Sequence, residues 1–164
     1  MEAYLIESAT RISEFLKIEG FSLSIAESCT GGLVSHIFTN IPGASNLLNL
    51  SIVCYSKDSK IKVLGINESL LDKKGMISEE TAIAMANAVR RLGHSDIGLS
   101  ITGNAGPDVI EGKNAGLVYI AVDIASKGRV LSTGEKFDGD MENIKNEASF
   151  EALQFLCRAL RICT

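Results

Sequence analysis

The densest grouping of side chains able to do chemistry is Ala26-Glu27-Ser28-Cys29-Thr30-Gly31-Gly32, a hydroxyl-rich turn that ends in two glycines. It follows a short apolar run at 23–26 and precedes a helical stretch starting near Leu33. A strand passing into a helix this way leaves the first N–H groups of the helix unpaired and aimed at one spot. The macrodipole adds partial positive charge there, so the turn suits a phosphate or a developing oxyanion. Ser28 and Thr30 stand at its mouth. The plainer reading is structural: serine or threonine before a helix commonly caps it, and Gly31-Gly32 would only relieve a tight turn.

Two further groupings change that balance. Tyr55-Ser56-Lys57 is followed by Lys60, and Thr102-Gly103-Asn104-Ala105-Gly106-Pro107 is a second glycine-bearing turn. Each follows an apolar, strand-like run, and open α/β sheets bind ligands outside such strand ends. Convergence of these ends would bring Ser28, Tyr55, Lys60 and Thr102 to one pocket. The chemistry would then be nucleophilic. A desolvated lysine takes the serine proton, a tyrosine orients or relays it, and N–H groups around Cys29 to Gly31 hold the oxyanion. Taken singly, Lys60 reads as a solvated helix lysine, Tyr55 as the wet end of a strand, and residues 103–107 as a turn. Cys29 reads as a small buried filler rather than a nucleophile. Glu27 is harder to dismiss, because a carboxylate buried without partners is costly.

The hydrophobic pattern predicts the elements that would position these groups. Residues 3–19 carry Leu5, Ala9, Ile12 and Leu16 at helical spacing and stop at Gly20. A strand is expected at 21–26, a helix at 33–39 ended by Asn40 and Pro42, a buried strand at 50–55, and a helix at 57–64. Ser78 caps a clear helix with Glu79 and Glu80 in its first turn and Arg90 and Arg91 in its last, before Gly93. Residues 97–102 alternate as a strand, 117–124 form a strand buried on both faces, and 129–137 a more polar strand near an edge. A last helix begins near Asp140, with Ile144, Ala148, Ala152, Phe155, Ala159 and Ile162 on one stripe. Interleaved strands and helices predict the α/β class, as a three-layer α/β/α domain on a sheet of about five strands. The short link around Lys127-Gly128 requires an antiparallel hairpin, so the sheet is mixed, mostly parallel. No internal repeat or linker divides residues 1–164, which read as a single domain.

Composition narrows the function classes. The length of 164 residues and a 46% apolar content suit one domain with a substantial core. No apolar run approaches a membrane span. Glu2 and Glu7 stand where a signal peptide would carry basic charge, so a cytoplasmic protein is expected. Cys29, Cys54, Cys157 and Cys163 are scattered and read as free thiols. His36 and His94 are the only histidines and lie in no ligand-spaced cluster, so no metal is expected. The net charge of −4 gives no footprint for direct nucleic-acid binding. Lys57, Lys60 and Lys62 form a local basic group, read as a solvated face.

Other motifs accompany these in order: Pro42-Gly43-Ala44-Ser45; Leu64-Gly65 after Tyr55-Ser56 and Lys60; Gly75 with Ser78-Glu79-Glu80; Gly116-Leu117-Val118-Tyr119-Ile120; and Phe137 with Gly139-Asp140. Taken together, over nearly the whole chain, they resemble the CinA C-terminal domain family, whose active members are nicotinamide-nucleotide amidases. The resemblance implies the three-layer fold with a mixed sheet. It also implies deamidation of nicotinamide mononucleotide to nicotinate mononucleotide and ammonia, in pyridine-nucleotide salvage and without a cofactor. Ser28 would be the nucleophile, with Lys60 and Tyr55 as its proton-handling partners.

The same resemblance makes the small-molecule nucleotide the partner, with Glu27, Thr30, Gly31, Gly32, Thr102, Gly103, Asn104, Ala105 and Gly106 as substrate-binding candidates. Its phosphate would lie against residues 30–32 or 103–106, helped by Lys113 or Lys145, and the choice stays open here. Many relatives carry a second, N-terminal domain, so this chain reads as a stand-alone form, expected to be a homo-oligomer. It departs from the family pattern at Lys57, where asparagine is usual, at Asn104, where isoleucine is usual, and at Met141, where arginine is usual. Methionine cannot make arginine's bidentate contacts; Lys145, one turn later, could stand in as a point charge. Two other readings follow: a pyridine-nucleotide-binding module with weak turnover, or a competence- or damage-inducible interaction protein without hydrolysis.

Overall fold

A computed structural model describes residues 3–162; the expectations for Glu2 and Cys163 lie outside the described residues. Five strands form one sheet: β1 (Leu23–Glu27), β2 (Leu48–Val53), β3 (Ile97–Gly103), β4 (Leu117–Ile124) and β5 (Arg129–Lys136). Their order across the sheet is β2, β1, β3, β4, β5. β1 pairs in parallel with both β2 and β3, while β4 pairs antiparallel with β3 and β5. β4 alone therefore runs against the rest, which is the mixed, mostly parallel sheet of a three-layer α/β/α domain. As expected, β4 and β5 form a hairpin.

Helices cover both faces. α1 (Ala3–Glu19), α2 (Leu33–Thr39) and α6 (Met141–Leu160) lie on one side. There Leu5, Ile12, Val34, Ile37, Ala148 and Leu156 pack with Ile25, Leu99 and Ile120 of the sheet in a single apolar core. α3 (Lys57–Lys62), α4 (Glu68–Lys74) and α5 (Glu79–Leu92) lie on the other, where Ala26, Cys54, Leu64, Leu71, Met85 and Val89 cluster. Each fully buried leucine or isoleucine contributes roughly 1.5–3 kcal/mol. The α5 helix approaches β3 so closely that a Cβ on Gly98 would stand 2.2 Å from the Ala86 carbonyl oxygen, so only glycine fits there.

Local signals placed most elements well. Ser78 accepts the Thr81 N–H as the α5 cap, and Asp140 accepts the Asn143 N–H as the α6 cap. Three readings are corrected. β2 lies at the sheet edge, so its residues alternate between exposed and half-buried instead of being buried throughout. α4, capped by Asn67 on the Ser69 N–H, has too short an apolar stripe to stand out in the sequence. Ile162 falls beyond α6, which ends where Arg161 turns left-handed.

Registry sets the level of the strand ends. Glu27 of β1 stands opposite Val53 of β2 and Ile101 of β3. The residues just past these positions, Ser28, Cys54 and Thr102, therefore emerge side by side at one edge of the sheet.

Candidate active site

Ser28 extends the sheet by one residue and then starts the turn. Its N–H donates to the Ile101 carbonyl at 2.9 Å, and its carbonyl accepts the Gly31 N–H at 3.1 Å. Gly31 and Gly32 adopt φ of +65° and +102°, a region in which any side chain is strained. Ser28 is buried, and its hydroxyl does not cap α2. It faces the amine of Lys60 instead.

Lys60 comes from α3, a helix opened by a reciprocal cap between Ser56 and Ser59. The basic group read as a solvated face divides here. Lys57 turns outward to Asp72 and Glu68, Lys62 turns outward to Asp58, and Lys60 turns inward and is 0% exposed. Its Nζ lies 2.9 Å from Ser28 Oγ, 2.5 Å from the Cys54 carbonyl and 3.5 Å from the Tyr55 carbonyl. Burial lowers its pKa from the ordinary lysine value, against weaker opposing effects from Cys54, Cys29 and Glu111. A neutral amine has two protons to give and one lone pair. The two carbonyls can only accept, so the lone pair is left for the one neighbour with a proton to lose, the Ser28 hydroxyl. That is the arrangement of a serine nucleophile with a lysine base.

Cys29, next along the turn, is buried, and its thiol is pushed up to about 12, chiefly by desolvation. It stays protonated and unreactive near neutral pH. The backbone N–H groups of Cys29 and Thr30 pull the thiol pKa the other way, more weakly than burial raises it.

The N–H groups expected to await an anion at the start of α2 already have one. Glu27 is completely buried, and its carboxylate accepts the N–H groups of Gly32, Val34 and Ser35. Its contacts are with the turn and the start of α2, not with the pocket.

That pocket, about 90 Å³, lies beside Ser28 and is walled by Tyr55, Met76, Ile77 and Ile110 and by residues 102–106. Tyr55 stands at its mouth, 67% exposed, and it is the Tyr55 carbonyl that approaches Lys60. Thr102 Oγ1 donates to the Met76 carbonyl at 2.8 Å and braces one wall. Gly103 is required by close approach, because a Cβ there would lie 2.6 Å from the Leu117 carbonyl oxygen. Ala105 and Gly106 line the pocket directly.

Asn104 is fully buried and builds the loop. It donates to the carbonyls of Asp108 and Lys113 and accepts the Gly106 N–H. Glu111, which the sequence reading did not single out, latches this loop to the facing wall by accepting the Met76 and Ile77 N–H groups. Its sign in the sequence was the family's Glu-Lys-Pro-Val-Gly motif, which this chain carries as Glu111-Gly112-Lys113-Asn114-Ala115-Gly116.

The remaining candidates separate. Thr30, Gly31, Gly32 and Lys145 line a second cleft of about 550 Å³, with His36 and Met141. Lys145 Nζ stands 3.9 Å from where a Gly31 Cβ would be. Lys113 lines a third cavity, with Lys57, Lys73, Lys74, Asp72 and Glu111. Among the described residues no three His, Cys, Asp or Glu side chains are grouped to hold a metal ion, and no helix is long and apolar enough to cross a membrane.

Comparison with known proteins places the chain in a family. The family model of the CinA C-terminal domain matches residues 6–160. A CinA-like protein of Geotalea uraniireducens is 42% identical over 152 residues, 92% of this chain and 36% of the relative. The chain thus spans little more than a third of the curated relatives it matches. Among solved structures, the competence or damage-inducible protein of Enterobacter asburiae superposes with a TM-score of 0.91 at 29% identity, covering 95% of this chain and 98% of that one. The competence/damage inducible protein CihA of Agrobacterium tumefaciens gives 0.91 at 31% identity, covering 96% of each. With the whole sheet, both helical layers and the Ser28 turn inside the matched residues, the chain belongs to the CinA C-terminal domain family.

Proposed function

We propose that this protein hydrolyses a carboxamide, deamidating nicotinamide mononucleotide to nicotinate mononucleotide and ammonia. The observation that carries the reading is the 2.9 Å contact between Ser28 Oγ and the fully buried amine of Lys60. Ser28 Oγ attacks the carboxamide carbon as neutral Lys60 takes its proton. The oxyanion that forms is held by the N–H groups of Cys29 and Thr30 at the start of the turn. Lys60 returns the proton to the departing nitrogen, and ammonia leaves an acyl-Ser28. Water then attacks the acyl carbon, Lys60 takes its proton, and the proton passes back to Ser28 as the carboxylate is released.

The small pocket, with Met76, Ile77, Ala105 and Ile110 on its walls, suits a planar heteroaromatic ring, and Tyr55 orients the ring at the mouth. For the phosphate, Lys145 is favoured over Lys113. It lies beside Gly31 on the nucleophile's own turn, whereas Lys113 faces a cavity to which no residue of that turn contributes.

The test is ammonia release from nicotinamide mononucleotide by the purified protein and by Ser28→Ala. Release is expected from the first and not from the second, with both melting within a few degrees of one another. Binding of the nucleotide without ammonia release would favour the binding-module reading, which Met141 in the Lys145 cleft motivates.

A further inference from the structure

A buried carboxylate stands one residue before the nucleophile, and the chemistry above makes no use of it. Glu27 Oε2 accepts from Thr30 Oγ1 at 2.6 Å, from the Gly32 N–H at 3.0 Å and from the Val34 N–H at 3.2 Å. Oε1 accepts from the Ser35 N–H at 2.8 Å and from Ser35 Oγ. A carboxylate offers about four lone-pair sites, so these donors saturate it and leave nothing for a ligand. They are also the donors that an incoming anion would have needed.

We propose that Glu27 is the positioning residue for Ser28: it locks the turn from Ser28 to Ser35 so that Ser28 Oγ stays on Lys60 Nζ, and it never touches substrate. This rests on the Ser28–Lys60 reading above. The lock joins both halves of the catalytic pair. The Glu27 carbonyl accepts the Cys54 N–H at 2.8 Å, and the Cys54 carbonyl in turn holds Lys60 Nζ. The Glu27 side chain holds the turn that carries Ser28. One residue at the end of β1 thereby fixes the base's acceptor with its main chain and the nucleophile's turn with its side chain.

The need for such a lock follows from the turn itself. Two consecutive left-handed glycines leave its backbone adaptable, and the bonds from Gly31 N–H to the Ser28 carbonyl and from Leu33 N–H to the Thr30 carbonyl, the latter long at 3.3 Å, close it from within. Glutamine has the same length as glutamate but would aim an NH₂ donor at N–H and O–H donors, leaving buried groups unpaired. Aspartate is a methylene too short to span from Thr30 to Ser35.

The experiment compares the full chain with Glu27→Gln and Thr30→Val by ammonia release from nicotinamide mononucleotide and by amide hydrogen exchange. In Glu27→Gln, kcat per folded molecule is expected to fall roughly 100-fold, the scale of a 1 Å misplacement of a reacting group. KM should move less than about twofold, because no ground-state contact is lost. The acid limb of kcat/KM should stay in place, since Glu27 does not contact Lys60. Exchange at Gly32, Val34 and Ser35 should quicken about tenfold or more while β3 is unaffected. Thr30→Val removes one donor and should shift the same quantities less, which keeps the test open should Glu27→Gln not fold.

Unchanged kcat per folded molecule overturns the proposal, and so does a rise in KM at unchanged kcat, which would put Glu27 on the substrate. A wild-type protein that releases no ammonia defeats the proposed reaction instead. The lock is then judged on exchange alone: quickened exchange confined to the turn sustains it, and unaltered exchange overturns it.

Discussion

Ser28 and Lys60 lie 32 residues apart in sequence, yet their side-chain ends stand 2.9 Å apart, and strand registry is what brings them together. Glu27 sits level with Val53, so the chain leaving β1 and the chain leaving β2 emerge at the same height. The Cys54 N–H ties back to the Glu27 carbonyl, and α3 then starts with its fourth residue directed at the sheet edge. Slipping β2 by one residue would invert its side chains and carry Lys60 away from Ser28.

Lys60 should govern the pH dependence of both activity and stability. Burial sets its folded pKa below the ordinary 10.5. Between those two values the unfolded chain binds a proton that the folded protein does not, so stability rises with pH across that window. It is lowest below the folded pKa, where folding must also bury a charge. The acid limb of kcat/KM should rise through the same folded pKa, because the neutral amine is the active form. Lys60→Met and Lys60→Arg should both be inactive, the latter because guanidinium stays protonated. Lys60→Met should melt near wild type with a flatter alkaline stability profile. An active arginine variant would mean that the position supplies charge alone.

The cysteines should be silent. Cys29 titrates near 12, and the Cys54 and Cys157 thiols are also raised by burial, so thiolate is scarce at pH 8. Native protein treated with iodoacetamide should keep its activity and show these three residues unmodified by mass spectrometry. Inactivation that tracks alkylation of Cys29 would make the thiol the nucleophile.

Glu111 should act on substrate affinity. Its carboxylate is the latch between the Asn104 loop and the Met76–Ile77 wall, and Glu111→Ala frees the loop at one side of the pocket. KM should rise about fivefold, equivalent to the roughly 1 kcal/mol of one hydrogen bond, with kcat little changed. Removing this carboxylate also removes one of the influences that raise the Lys60 pKa, so the acid limb should move to lower pH. A limb that moves to higher pH would contradict that assignment.

Asp123 should matter to stability alone. It is buried and accepts from Arg90 Nε at 2.7 Å and Asn87 Nδ2 at 3.0 Å, holding α5 against β4. Asp123→Ala strands the Arg90 charge in a partly buried position and should cost about 3 kcal/mol in urea unfolding. Its kcat should match wild type at temperatures where the variant remains folded.

Features that depend on neighbours along the chain are readable from residue order. The stripe of Leu5, Ala9, Ile12 and Leu16 places α1 and its end at Glu19, because helical spacing and a terminal Gly20 are local properties. Ser78 and Asp140 announce the starts of α5 and α6 for the same reason, through side chains that bond three residues on. The Ser28 turn was legible as a chemical feature because its residue types are unusual together.

Long-range packing selects which partner each polar group takes. Lys57, Lys60 and Lys62 look alike in sequence, and only the packing of α3 on the sheet edge buries the middle one and lowers its pKa. Glu27 looked ready for substrate until α2 folded its N–H groups onto it. Lys113 and Lys145 were interchangeable as cations until the loop and α6 carried them to different cavities. Burial, registry and the distance between remote side chains come from long-range packing, and local spacing carries no record of them.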